Sequence, residues 1–226
     1  MKSPALMAKR DTGIDIYDPT LVLYLPLADH GTDVSPFPSR DLNHHIATVT
    51  GATWGLQGRT FDGTDDWIDC GSSSVLKPTG DFTVGARFKL DNLTGGNWVL
   101  FDEEVYRASG FLLRIDRATN TTGQAFLRTN QVSADTGITG NTILSTDTWY
   151  TLYATKLGTT GTFFLNGVAD GTGTLNNPVL ATKNLFVSND GAQRMKGTIG
   201  EVWMYNRALS AAEVQQNYLV TKWRYI

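Results

Sequence analysis

The 226-residue chain has one cysteine, Cys70, so no disulfide can form within it and its stability must come from a packed core or an ion. Long apolar runs are missing too, since no stretch approaches the ~20 residues that a membrane-spanning helix needs. Charge of one sign is scarce. Its 19 Lys and Arg against 22 Asp and Glu leave a net charge of −3 with no basic block. That balance argues against nucleic acid or an anionic membrane surface as the main partner. Histidines stand only at His30, His44 and His45, without further ligands at the spacing of a zinc site. Neither a nucleophile elbow, a phosphate loop nor a dinucleotide fingerprint occurs, and internal repeats and low-complexity tracts are absent. The basic start MKSPALMAKRDTG lacks an apolar region long enough for a secretory signal.

What is present is a chain that is 41% apolar and 18% charged, enough for a real core and too apolar for general disorder. Residues 1–18 read as a polar lead-in and residues 19–226 as one domain. From Leu21 onward, short apolar runs alternate with glycine, asparagine and aspartate clusters, the pattern of an antiparallel β protein. Phe82–Leu90 is the clearest run. Phe82, Val84, Ala86, Phe88 and Leu90 share one face, while Thr83, Arg87 and Lys89 share the other. The alternation predicts one face in the core and one in water or at a ligand. Asn166-Gly167 between Leu165 and Val168 predicts a two-residue hairpin, because a type I′ turn needs positive φ at both positions. One short helix is expected at the C-terminus. Ser210 and Glu213 form a capping box there, with Leu209 and Val214 placed as a hydrophobic staple.

Phe61-Asp62-Gly63-Thr64-Asp65-Asp66-Trp67-Ile68 resembles a signature strand of laminin G-like domains in the concanavalin A-like lectin/glucanase superfamily. Phe82-Thr83-Val84, the strand around Trp149 and Leu152, and Leu165-Asn166-Gly167 resemble successive elements of the same family. The ending, Gly197-Thr198-Ile199-Gly200-Glu201-Val202 followed by Tyr205-Asn206-Arg207-Ala208-Leu209-Ser210, resembles its closing signature, except that Gly200 stands where the family has aspartate. The resemblance spans about Leu21 to Tyr218. It implies an all-β fold, a two-sheet antiparallel jelly-roll sandwich with one short C-terminal helix.

Several constellations bear on function. Asp62, Asp65, Asp66 and Asp69 crowd one corner. The carboxylates of such a turn cap backbone donors. Alternatively they hold a calcium ion, as many members of the resembled superfamily do, with Asp65 and Asp66 as side-chain ligands. Arg207 is expected to pin the terminal segment to this aspartate-rich turn through a carboxylate pair. Trp67, Trp149 and Trp203 fall in signature strands and read as core. Trp54 and Trp98 are less constrained, and aromatic faces can stack on the apolar faces of sugars. The segment Asp102-Glu103-Glu104-Val105-Tyr106-Arg107 concentrates charge beside an aromatic, in what reads as a solvated loop able to serve as a binding rim. Cys70 reads as a buried, inert thiol. His44-His45 reads as part of a turn.

Glycosidases on the resembled fold carry a strand of the form E-x-D-x-(x)-E, and no such string exists here. The expected function is therefore non-catalytic recognition of a glycan or polysaccharide, with Trp54, Trp98, Tyr106 and Arg107 as contacts. Neither nucleic acid nor membrane insertion is expected. Assembly as a homo-oligomer or on a virus-like particle fits the same reading. The alternatives are a glycan hydrolase or lyase with an unusual site, and a structural module that oligomerises through a sheet face.

Overall fold

Among the residues described by this computed structural model, 13–93, 97–116, 123–189 and 191–225, the short apolar runs become two antiparallel sheets. The first runs in the order β14 (Val168–Thr174), β13 (Thr160–Leu165), β12 (Trp149–Leu157), β7 (Phe82–Leu90), β16 (Lys196–Tyr205), β5 (Gly58–Asp62) and β4 (Thr53–Gly55), and β1 (Leu21–Pro26) also pairs with β16. The second runs β11 (Ala134–Thr139), β10 (Ala125–Gln131), β9 (Phe111–Ile115), β8 (Trp98–Asp102), β15 (Phe186–Val187), β6 (Trp67–Asp69), β3 (Ile46–Thr50) and β2 (Phe37–Pro38). Just past β11, Asn141 N donates to Asp170 O of β14 at 2.6 Å. This bond ties together the margins of the two sheets that would otherwise be open to pairing with other chains.

The inward face of β7 carries the expected apolar set, and all five of its side chains are fully buried. Phe82 meets Phe111 of the opposite sheet with ring centroids 5.1 Å apart, so the two inner faces interlock. The turn at Asn166-Gly167 forms with φ of 51° and 80°, as a type I′ hairpin requires.

The other face of β7 departs from expectation. Thr83 and Arg87 are buried instead of lying in water or at a ligand. Arg87 donates to Thr151 Oγ1 next to Trp149. Thr83 Oγ1 donates to Arg207 O and accepts from Leu209 N beside a second apolar cluster on the outer side of the first sheet. Trp203 stacks on Tyr153 at 4.9 Å in that cluster, and its indole lies over Gly85, where a Cβ would come within 2.2 Å of Nε1. The helix, α1 (Ala211–Thr221), supplies part of the cover. Its Ser210 hydroxyl accepts from Glu213 N, Ser210 N donates to the Glu213 carboxylate, and Leu209 and Val214 are both buried in the cluster. Of the lead-in read over residues 1–18, the part from residue 13 is packed here, with Ile14 fully buried and Ile16 against it; residues 1–12 lie outside the described residues. Below the helix, buried Glu201 accepts from Arg224 at 2.7 Å and from the Tyr24 hydroxyl at 3.2 Å, which fixes the last turn of the chain to the sheet.

Candidate functional site

The second apolar cluster covers only part of the first sheet's outer face, leaving Trp149 and Lys89 half-buried at the surface, and the outer face of the second sheet is open in part as well. Alternation along β9 and β10 puts Leu112, Arg114, Phe126 and Arg128 on it, Phe126 opposite Arg114 and Arg128 opposite Leu112. Phe126 is half-buried and overlies Gly137 of β11, where a Cβ would stand 2.8 Å from its Cζ. The Arg114 guanidinium lies 4.9 Å from the Phe126 ring centre. That of Arg128 lies 5.9 Å from the same ring and 4.5 Å from the ring of Tyr106. Such cation–π contacts hold both rings and guanidinium groups in place.

Tyr106 and Arg107 sit together on the β8–β9 connection, both exposed at the tip. This connection is not a solvated loop throughout. Its base, Asp102, Glu103 and Glu104, is buried, and the reason is a set of paired cations and backbone donors. Glu104 accepts from Arg128 Nε at 2.9 Å, again from Arg128 Nη2, and from Asn130 Nδ2 at 2.7 Å. Asp102 accepts from Lys183 Nζ at 2.5 Å and from Glu104 N at 3.0 Å. Burial lifts the Asp102 carboxyl to about 6, with the Lys183 ammonium opposing the rise. Glu103, between them, is fully buried and neither of its carboxyl oxygens has a hydrogen-bond partner among the described residues. Burial raises it to about 9, so it is a neutral acid at physiological pH. Arg107 at φ 54° donates its N–H to Asn130 Oδ1 at 2.8 Å and Nη2 to Ser133 O at 2.8 Å, which anchors the tip to the β10–β11 turn.

The acidic corner lies elsewhere, at the turn between β5 and β6. Its carboxylates do the capping work expected of such a turn: Asp62 Oδ1 accepts from Thr64 N at 2.7 Å, and Asp66 Oδ2 from Asp62 N at 2.8 Å. Asp62, Asp65 and Asp66 also bring one oxygen each to within 4.8 Å of one another, a donor set of the hard-oxygen kind that calcium takes. Burial raises the Asp66 pKa; the Asp62 N–H opposes that, and the charges of Asp62 and Asp65 add to it. Asp69, the fourth aspartate, instead accepts from Asn184 Nδ2 at 3.0 Å. Beside the turn is a cleft of about 310 Å³ lined by Asp62, Thr64, Asn92, Asn97, Trp98 and Arg194 among others.

The remaining expected positions scatter. Trp98 belongs to the core with 2% exposure, so it lends the cleft little ring face on which a sugar could stack. Trp54 is on β4, at the margin of the first sheet, with its ring 5.0 Å from that of His30. Trp203 is core as expected, but Trp67 and Trp149 are half-buried on the surface beneath cations, Arg194 at 5.3 Å and Arg87 at 5.8 Å. Arg207 does pin the terminal segment, though not to the acidic corner: its partners are Glu213 at 2.8 Å and Asp18 at 3.3 Å. Cys70 is buried and its thiol is pushed well up by desolvation. His44 takes φ 50° in a turn held by His45 N donating to Ser39 Oγ. Phe126, Arg114 and Arg128 are absent from the sequence-derived contacts. The signal available for them was the Phe-x-Arg alternation of 126 and 128, which places both on one strand face.

A family model described as the concanavalin A-like lectin/glucanases superfamily matches residues 62–215. Among curated protein sequences nothing matches the chain. The fold is similar to that of the binding domain of Paraclostridial Mosquitocidal Protein 1, with a TM-score of 0.69 at 14% identity over 88% of this chain and 52% of that one. It is also similar to Trypanosoma rangeli sialidase (TM-score 0.66, 16% identity, 93% of this chain and 34% of that one). A third likeness is to the botulinum neurotoxin serotype D binding domain (0.65, 12%, 88% and 51%). The chain thus spans about half of each toxin binding domain and a third of the sialidase, and at these identities the likeness is one of fold.

Proposed function

Because the chain belongs to the concanavalin A-like lectin/glucanase superfamily, we propose that it is a recognition module that binds glycan without cutting it. The observation that carries this reading is the asymmetry of the sandwich. The apolar cluster under α1 and residues from 13 onward covers much of one sheet's outer face, while the other presents the exposed Tyr106 and the half-buried Phe126 beside largely buried guanidinium groups held by fixed partners. Aromatic faces in such a setting stack on sugars, and the fixed polar groups orient them. The binding domains of two toxins among the similar folds are in keeping with a binding role.

The carboxylates near that face favour binding over hydrolysis. Cleavage of a glycosidic bond needs one neutral acid and one available carboxylate on either side of the bond, about 5–9.5 Å apart. Asp102 and Glu104 are each engaged by a cation, and Glu103 is a neutral acid with no exposure to a substrate. Calcium at Asp62, Asp65 and Asp66 is part of the same proposal, as a staple for the turn beside the 310 Å³ cleft. Contact through one or two rings gives weak binding, on the order of micromolar to millimolar. Several copies in an array, as on a particle surface, would raise it to useful avidity. The test is a glycan array probed with multimerised protein. Selective retention on a set of related glycans is the expected result; no retention anywhere would favour a purely structural module.

A further inference from the structure

We infer that the ligand is a neutral glycan, seated on an aromatic platform built by Tyr106, Phe126 and Arg128 rather than in the cleft beside the acidic turn; this inference rests on the glycan-binding reading above. Two rings flank one guanidinium carbon, at 4.5 Å for Tyr106 and 5.9 Å for Phe126. Tyr106 is 58% exposed, so with one ring face toward Arg128 the rest of the ring is open to a ligand. Phe126 overlies Gly137, the one residue type whose lack of a Cβ leaves room for a ring at that distance. Arg128 is held in turn by Glu104, which Asn130 also binds. A surface whose rotamers are already fixed loses little entropy on binding, as a stacking site requires.

Charge decides the class of ligand. Each described arginine of this region faces a carboxylate: Arg128 with Glu104, Arg114 with Asp116 at 3.2 Å, and Arg107 with Asp135 at 3.7 Å. The Lys183 ammonium is likewise matched by Asp102. The face is therefore, among the described residues, polar but locally neutral. Among the described residues a sialylated or sulfated glycan would find no uncompensated cation there, and would have to displace a carboxylate from an existing ion pair. A neutral sugar needs neither. Its apolar face meets the Tyr106 and Phe126 rings and its hydroxyls meet the polar groups around them.

The experiment compares wild type with Tyr106→Ala, Phe126→Ala and Gly137→Ala on the glycan array and by titration of the best-binding oligosaccharide, with Arg194→Ala in the cleft as the control. Gly137→Ala keeps every platform side chain and only crowds the Phe126 ring from below. The expected result is binding to neutral glycans, weakened about tenfold or more by each platform substitution and unchanged by Arg194→Ala, with all melting temperatures near wild type. Preference for sialylated or sulfated glycans would overturn the neutral assignment. Loss of binding in Arg194→Ala with retention in the platform variants would move the site to the cleft while leaving the glycan-binding reading intact. Absence of any glycan binding by wild type would overturn both.

Discussion

Replacing Glu103 by glutamine should make the protein more stable, and increasingly so as pH rises. The side chain is fully buried at the base of the β8–β9 connection, and neither oxygen has a hydrogen-bond partner among the described residues. Burial lifts its carboxyl from the ordinary glutamate range to about 9; Lys77 opposes the rise and Asp102 adds to it. In the unfolded chain the same group ionises near pH ~4.3. The folded state therefore holds one more proton than the unfolded state between these values, and stability must fall as pH climbs through that window. The slope is about 1.4 kcal/mol per pH unit, so the contribution lost between pH 5 and pH 8 is roughly 3–4 kcal/mol. Glutamine is nearly isosteric with the neutral acid and does not titrate. Every other titrating group is common to both proteins and cancels in the comparison. Urea denaturation of wild type and Glu103→Gln should thus show similar midpoints near pH 5 and a gap that opens in favour of the variant toward pH 8. Midpoints that stay parallel across the range would mean that the carboxylate is solvated or paired, and would refute the reasoning.

Two further perturbations test other parts of the fold. Ser210→Ala removes the hydroxyl that accepts from Glu213 N at the start of α1 and should cost about 1 kcal/mol in denaturant unfolding; an unchanged midpoint would show that the cap contributes nothing. Calcium that binds only the folded state should raise the melting temperature relative to chelator, by the equivalent of about 2.7 kcal/mol at a hundredfold over the dissociation constant. Asp65→Asn should erase that difference, and identical curves with calcium and chelator in wild type would leave the acidic corner as a capped turn.

The legible parts of this protein were those with a local cause. Strict alternation announced β7, the Asn166-Gly167 pair announced its hairpin, and the Ser210–Glu213 spacing announced the capping box. Strands β11 and β14 were not legible, because ADTGIT and VADGTGT are rich in the aspartate and glycine that elsewhere mark turns. The second face of β7 was misjudged for a different reason. Thr83 and Arg87 look solvent-facing by alternation, but Thr83 is held by Arg207 O and Leu209 N and Arg87 by Thr151 beside Trp149, all far away in sequence. The candidate site shows the same division. Tyr106 and Arg107 stood out as a charged, aromatic segment, whereas the fitness of Phe126 depends on Gly137 opposite it and on Arg128 being claimed by Glu104. Those are cross-strand facts that no local pattern contains. Trp98 was singled out for its residue type alone, and its apolar neighbours on β8 draw it into the core.

The central claim, binding without cleavage, is tested most directly by nuclear magnetic resonance titration of isotope-labelled protein with the best-binding oligosaccharide, followed for a day after saturation. Amide shifts locate the sugar and the sugar's own anomeric signals report its integrity. The account predicts shifts concentrated around Tyr106, Phe126 and Arg128, with the anomeric spectrum of the oligosaccharide unchanged. New reducing-end signals that grow with time and with protein concentration would contradict it and make this chain an enzyme.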